Sequence, residues 1–102
     1  MSDLHTVNKS PFERDSMGTC LSMALPGSSI LLIEDGVYAA LKGTVMADKM
    51  AAAMADRKLY ALEPDLKARG IDAGRLLDGI ELVDYAGFVD LVTSHDKVQA
   101  WL

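Results

Sequence analysis

The residue with the clearest chemical potential in this sequence is Cys20, the only cysteine among 102 residues. A single thiol cannot form an intramolecular disulfide, a CxxC redox pair or the clustered ligands of a structural zinc site. Its thiolate could still accept a sulfane sulfur as a persulfide and pass it to the thiol of a second protein, because each exchange step needs one attacking sulfur. Alternatively Cys20 is structural, since free cysteine is often buried as a small apolar side chain. Both interpretations stay open at this point.

The sequence around Cys20 offers little activation of its thiol. Cys20 lies ten positions beyond Ser10, where the predicted helix begins, and the helix dipole fades within about the first turn. The positions one turn away carry no basic side chain: Ser16, Met17, Met23 and Ala24. Any cation that lowers the pKa of this thiol must therefore come from a partner chain. Cys20 lies toward the edge of the apolar side of the helix, a position that is compatible with partial exposure as well as with burial.

The other chemically capable side chains favour structural roles. A Ser-His-Asp triad could be drawn from Ser10, His5 and Asp35, but no nucleophile-elbow motif supports it. His95 ends the last long helix, where a cation complements the helix dipole, and Asp35 is better placed as a cap. Trp101 and Tyr85 could each anchor a partner or fill the core. Methionines at four-residue spacing favour a packed or interface-facing stripe over a metal site: Met46, Met50 and Met54.

Length and composition predict one folded domain, residues 1–102, with an apolar surface for a partner to cover. The net charge of −5, without a basic cluster that contains aromatic residues, argues against direct binding of RNA or DNA. No apolar run approaches the roughly 20 residues of a membrane span, and the first residues do not resemble a secretory signal. Together with the free cysteine, these features predict a cytoplasmic protein without membrane association.

Short strands alternate with helices along the chain. Ser10 as N-cap, Pro11 at the first helical position and Glu13 as the capping-box carboxylate predict that the first helix begins at Ser10. The predicted strands are 4–8, 29–34, 58–63, 80–84 and 97–102. The predicted helices are 10–25, 37–41, 46–57, 64–70 and 85–95, and residues 71–79 are ambiguous between helix and loop.

This alternation predicts an α/β fold, a three-layer sandwich in which helices cover both faces of a five-stranded parallel sheet in a flavodoxin-like arrangement. Periodicity does not reveal the strand order. The loops at the carboxyl ends of the strands, around Lys9, Asp35, Pro64 and Tyr85, are the usual place for a ligand in such a sheet. None of them carries a phosphate-binding motif. We therefore expect neither a nucleotide nor another cofactor, and no metal.

Five stretches of the sequence, in register along most of the chain, resemble the DsrH/TusB family. They are LHTVNKSP at 4–11, EDGVYAA at 34–40, YALEPDLKARG at 60–70, DYAGFV at 84–89 and QAW at 99–101. The resemblance implies a DsrE-like α/β fold. It also implies a place in a cytoplasmic heterohexamer of α2β2γ2 composition, built with DsrE-like and DsrF-like subunits, that relays persulfide sulfur.

Two branches of that family differ in what the relay serves. The resemblance to DsrH-type chains, which have a cysteine in the first helix as here, implies a DsrEFH-type sulfurtransferase complex that serves sulfur oxidation and delivers sulfur to a DsrC-like carrier. Cys20 would then be the catalytic, sulfur-carrying residue. The alternative is a non-catalytic structural subunit of a TusBCD-type complex, which serves tRNA wobble uridine 2-thiolation with TusE-like and TusA-like carriers. In both types of complex, the resemblance implies that the principal sulfur-accepting cysteine belongs to a sister subunit.

Overall fold

A computed structural model describes residues 3–12 and 15–101 of the chain. Its strands are β1 (Asp3–Val7), β2 (Ser29–Leu32), β3 (Lys58–Leu62), β4 (Glu81–Val83) and β5 (Lys97–Trp101). Its α-helices are α1 (Ser16–Met23), α2 (Ala47–Ala53), α3 (Glu63–Ala68) and α4 (Tyr85–Ser94). Two 3-10 segments, Glu34–Ala40 and Ala73–Arg75, complete the connections.

The strands form one parallel sheet in the order β4-β3-β2-β1-β5. The prediction of an α/β fold with a five-stranded parallel sheet is confirmed. Sequence periodicity did not predict the strand order. The observed order differs from the 2-1-3-4-5 order of flavodoxin itself. Here the chain moves in one direction from β1 to β4 and then crosses the whole sheet to place β5 beside β1. This makes β1 and β2 central, which agrees with the nearly complete burial of their side chains.

The main core lies on one face of the sheet, under α1, α2 and α3. Right-handed crossovers that advance in one direction place all their helices on the same face. Alternate strand residues point into this core, and they join one hydrophobic cluster with Met17, Met50 and Leu66 of the three helices. The strand members of the cluster are Val7, Ile30, Leu32, Leu59 and Ala61.

Among the described residues, α4 covers the opposite face of the sheet, because the crossover from β4 to β5 runs the other way. Leu4, Leu31 and Leu62 of the strands belong to this face, and all three are buried. No residue of α4 itself is fully buried. The sandwich therefore has three layers, but the second helical layer is thin and leaves apolar surface uncovered.

The first helix begins later than the capping signature predicts. Helix α1 starts at Ser16, and Asp15 stands at its N-cap position without a side-chain cap. Ser10 instead accepts a hydrogen bond from the backbone N–H of Phe12 at 3.2 Å, and it directly precedes a turn at Pro11 and Phe12. A serine followed by proline suits such a turn as well as a helix start, so the local signal was ambiguous. Glu13, the predicted capping-box residue, lies outside the described residues.

Other boundaries move by a few residues, as tertiary packing commonly dictates. The segment expected as a helix over 37–41 is a 3-10 helix that already begins at Glu34, which has a positive φ of 49°. The Ala- and Met-rich helix is shorter than residues 46–57 and ends at Ala53. In the ambiguous stretch 71–79 the structure contains the 3-10 turn Ala73–Arg75. Within residues 3–12 and 15–101 no helix is long and apolar enough to cross a membrane.

Candidate functional site

Cys20 lies on the inner side of α1, in the main core. Its exposed fraction is 0%, and it belongs to the same cluster as Met17 and Ala24, each about one turn away. Of the two interpretations that the sequence left open, the structure favours the buried one. The strands and α2 cover Cys20, although the helical wheel placed it only at the edge of the apolar side of α1.

Burial also suppresses the ionisation of this thiol. Desolvation raises the pKa of Cys20 from 9.0 to about 12, because the core favours the neutral form over the thiolate. At a given pH below 9, that shift lowers the thiolate fraction about a thousandfold. The thiolate is the form that attacks sulfane sulfur. In this conformation Cys20 is thus both inaccessible and poorly nucleophilic.

Arg57 is the cation whose charge acts on the Cys20 thiol, and sequence reasoning did not predict this proximity. Its positive charge lowers the pKa of Cys20, but less than burial raises it. The guanidinium is held at the end of α1, where Nε and Nη2 donate to the carbonyl of Ala24 at 3.1 and 2.7 Å. Its Nη1 donates to Asp56 at 2.9 Å. Arg57 lies far from Cys20 in sequence, so only the packing of β3 beside β2 could reveal this proximity.

The loop after β2, one of the strand-end loops where we expect a ligand, is bridged by an ion pair. Arg69 contacts Asp35 at 2.8 Å, so Asp35 acts as an ion-pair partner across the loop after β2. The carboxylate of Asp65 accepts the backbone N–H of Glu34 at 2.6 Å. Gly36 lies against the carbonyl oxygen of Val7, where a Cβ would come within 2.0 Å. These contacts bind the loop to the ends of β1 and α3.

His5 and Trp101 form a polar pair between neighbouring strands at the edge of the sheet. The indole Nε1–H of Trp101 donates to Nδ1 of His5 at 3.0 Å. Because tryptophan can only donate, His5 must carry its proton on Nε2 when neutral. His5 is only 5% exposed, and its Nε2 has no hydrogen-bond partner among the described residues. Burial lowers the pKa of His5, which keeps the imidazole neutral.

A cavity of about 500 Å³ lies beside this pair, at the amino-terminal end of β1 and along β5. Its lining includes Asp3, His5, Lys97 and Gln99. In the sheet register Asp3 is paired with Lys97 and His5 with Gln99, so all four side chains are on one face of the two strands. Sequence reasoning did not find this cluster, although a histidine within the first predicted strand was a usable signal.

The remaining candidates have structural roles. Ser10 accepts a hydrogen bond from the backbone of Phe12, and His5 accepts one from Trp101. Asp35 accepts one from Arg69. The structure therefore does not form the Ser-His-Asp triad considered from the sequence. His95 bonds through Nδ1 to the carbonyl of Leu91 at 2.7 Å and through Nε2 to the hydroxyl of Ser29 at 2.9 Å. It ties the end of α4 to the sheet. Met46 and Met50 are buried in the core and Met54 packs against it, which confirms the packed-stripe interpretation.

The outer side of α4 carries an exposed apolar stripe. Tyr85, Val89 and Val92 follow one another at helical spacing and are exposed by 62%, 60% and 37%. Val98 on the neighbouring surface of β5 is exposed as well. We call Tyr85, Val89 and Val92 the α4 stripe. Exposed apolar residues that line up in this way are typical of a surface that contacts another protein.

The sequence is similar to known proteins along nearly its full length. The chain is 35% identical to protein TusB of Photorhabdus laumondii and 38% identical to protein TusB of Escherichia coli K12. Each alignment covers 96% of this chain and 99% of the relative. It is likewise 36% identical to protein TusB of Pectobacterium parmentieri over 98 residues.

Solved structures share the fold at lower identity. The crystal structure of the ychN protein from E. coli matches with a TM-score of 0.79 at 20% identity, over 98% of this chain and 99% of that one. The structure of MTH1491 from Methanobacterium thermoautotrophicum matches with a TM-score of 0.73 at 12% identity, over 96% and 97%. A family model described as "DsrH like protein" matches residues 9–98. With that match and the full-length relatives, the chain belongs to the DsrH/TusB family.

Proposed function

We propose that this chain is a non-catalytic structural subunit of a TusBCD-type sulfur-relay complex, which serves 2-thiolation of the tRNA wobble uridine. The pathway is supported by full-length similarity to proteins named TusB at 35% to 38% identity. The structural role is supported by one observation above the others, the complete burial of Cys20. A buried thiol with a raised pKa cannot exchange sulfur at a useful rate without a rearrangement of α1.

The proposed subunit associates with its sister subunits through the α4 side of the molecule. The α4 stripe leaves three large apolar side chains in water on a chain of 102 residues. Strand β5, next to this surface, forms an edge of the sheet and has four exposed residues. An exposed helix face beside an open sheet edge is surface that association would bury. In this proposal the assembly is α2β2γ2, and TusE-like and TusA-like carriers bring and remove sulfur.

A sulfur-carrying Cys20 in a DsrEFH-type complex, which would deliver sulfur to a DsrC-like carrier, is the second candidate. The charge of Arg57 favours it, because a guanidinium stabilises a thiolate and acts on Cys20 already in this structure. The candidate requires the partners to open the core around α1 and expose the thiol. The two candidates therefore make different predictions, because only the second requires Cys20 to carry sulfur.

Complementation of a deletion strain separates the two candidates. The gene is deleted in its own organism and restored as wild type, Cys20→Ala or Cys20→Ser, and 2-thiouridine in tRNA is quantified by mass spectrometry. We expect the deletion to lower 2-thiouridine and both variants to restore it to the wild-type level. Normal 2-thiouridine in the deletion strain, together with impaired sulfur oxidation, would overturn the tRNA thiolation proposal in favour of the DsrEFH type.

The intact complex provides the second measurement. The tagged chain is purified under native conditions, and its companions and any persulfide on Cys20 are identified by mass spectrometry. We expect two related subunits in amounts equal to the tagged chain, and no persulfide on Cys20 while the sister subunit's cysteine is loaded. A stoichiometric persulfide on Cys20, lost together with relay activity in Cys20→Ser, would establish the second candidate instead.

A further inference from the structure

The two edges of the sheet differ in how well they are protected. Edge strands expose unpaired backbone N–H and C=O groups, and proteins commonly protect them with short strands, charges or proline. Strand β4 is a short edge of three residues that begins at the charged Glu81. Strand β5 has five residues without proline, and its single charge is on the first of them, Lys97. Within residues 3–12 and 15–101 no strand pairs with the outer side of β5, so this edge is open to another chain.

The side chains of β5 are exposed along with its edge. Four of the five residues are exposed, and Val98 has an exposed fraction of 46%. Because Val98 pairs with Leu4 in the register with β1, Val98 and Ala100 lie on the same face of the sheet as α4. A strand that pairs with this edge would therefore cover apolar side chains as well as satisfy the backbone groups of β5.

The sequence of β5 is complementary to itself when two copies run antiparallel. Directly opposite residues of an antiparallel pair have their side chains on the same face. A register centred on Gln99 meets this condition and is the only one that pairs all five residues of β5. It places Val98 opposite Ala100 of the second copy. Lys97 then lies opposite Trp101 of the second copy, so that no like charges are opposed and an ammonium group meets an aromatic ring.

We propose that β5 pairs antiparallel with β5 of a second copy of this chain, which joins the two five-stranded sheets into a single sheet. The contact is isologous, because a two-fold axis at Gln99 exchanges the copies. The inference rests on the proposed function and refines it, since an α2β2γ2 assembly contains two copies of this chain. The axis is perpendicular to the sheet, so both α4 stripes lie on one face of the joined sheet and stay available to the sister subunits.

Disulfide trapping in the purified protein tests this contact. Each variant is made with Cys20→Ala, so that the new cysteine is the only one in the chain. The tagged chain is purified under native conditions with its companions and mildly oxidised. Gln99→Cys places two cysteines directly opposite one another, with Cα atoms about 4.5 to 5.5 Å apart, which is within the range of a disulfide. We expect a cross-linked product with twice the mass of this chain.

Matched variants test the register. Val98→Cys alone should not cross-link, because the two cysteines are offset by two residues and lie more than about 7 Å apart. Co-expression of Val98→Cys with Ala100→Cys places cysteines opposite one another and should restore the cross-link. Val45→Cys, at an exposed position on another surface, controls for random collision. If Cys20→Ala does not fold, the wild-type background serves, since Cys20 is completely buried.

The outcomes separate this inference from the proposed function. A cross-link of Gln99→Cys to a sister subunit, or none although sister subunits co-purify, overturns the β5 pairing and leaves the proposed assembly intact. Equal cross-linking of Val45→Cys, or of Val98→Cys alone, also overturns the β5 pairing. A double-mass product of Gln99→Cys in protein that purifies without sister subunits supports the β5 pairing and contradicts the proposed assembly.

Discussion

Trp101 fixes the tautomer of His5 by donating its indole N–H to Nδ1 across 3.0 Å, although the two residues stand 96 positions apart in sequence. The pair joins the last strand to the first and lies at the open edge of the main core. The edge strand β5 thus gains a side-chain hydrogen bond in addition to its backbone ladder with β1.

Trp101→Phe should destabilise the protein by about 1–3 kcal/mol, because it leaves Nδ1 of His5 buried without its donor. The measurement is urea unfolding at neutral pH. Tyr85→Phe, which removes a hydroxyl from an exposed ring, is the matched control and should change stability by less than about 0.5 kcal/mol. Equal stability of Trp101→Phe and wild type would show that the pair contributes nothing to docking of β5.

Cys20 should resist thiol reagents in the folded protein. At pH 7 we expect the disulfide reagent DTNB to modify it at least about a thousandfold more slowly than in urea-unfolded chain, because burial raises its pKa to about 12 and also blocks access. A rate in the folded protein close to that of the unfolded chain would contradict the burial of α1 against the sheet.

The same thiol predicts a pH dependence of stability. Its folded pKa lies above the unfolded value of 9.0, so the stability that it contributes is fully present below pH 9 and is lost as pH rises from 9 toward 12. The free energy of unfolding should fall above pH 9 by about 1.4 kcal/mol per pH unit more in wild type than in Cys20→Ala. Parallel pH profiles of the two proteins would refute a raised pKa.

Gly36 tests the close contact at the end of β1. A Cβ at this position would lie 2.0 Å from the carbonyl oxygen of Val7, a backbone atom that cannot rotate away. We expect Gly36→Ala to destabilise by more than about 3 kcal/mol, as severe backbone clashes do. Gly74→Ala is the control, because nothing lies within 4 Å of its added Cβ. Similar melting temperatures for the two variants would mean that the loop after β2 is not bound to β1.

The α4 stripe predicts an assembly defect without a folding defect. Val89→Asp places a charge on a residue that is 60% exposed, so the isolated chain should keep its stability while association with the sister subunits weakens. Co-purification from cells and native mass spectrometry measure the association. Val45→Asp makes the same change at a valine that is 85% exposed on another surface, and should leave assembly intact. Equal recovery of partners with both variants would exclude the α4 stripe as the contact.

Local sequence patterns determined the kinds of element and their sequence order. Alternation of apolar runs with helical segments predicted five parallel strands, because parallel strands need crossovers and these were visible as helices. The signals failed where two local structures share one signature. Ser10 precedes a turn at Pro11 and Phe12, and the predicted helix starts at Ser16, because the same residues cap helices and begin turns.

The tertiary structure decided which residues meet. Periodicity indicates the apolar side of a strand or helix but not its neighbours, so it could not place β5 beside β1 or bring Arg57 to Cys20. The order of the strands determined both of these proximities. It also produced the His5–Trp101 pair and the cavity next to it. The sequence alone established that one thiol was available. Only the packing of α1 on the sheet decided that this thiol is buried and protonated, because desolvation depends on everything that surrounds it.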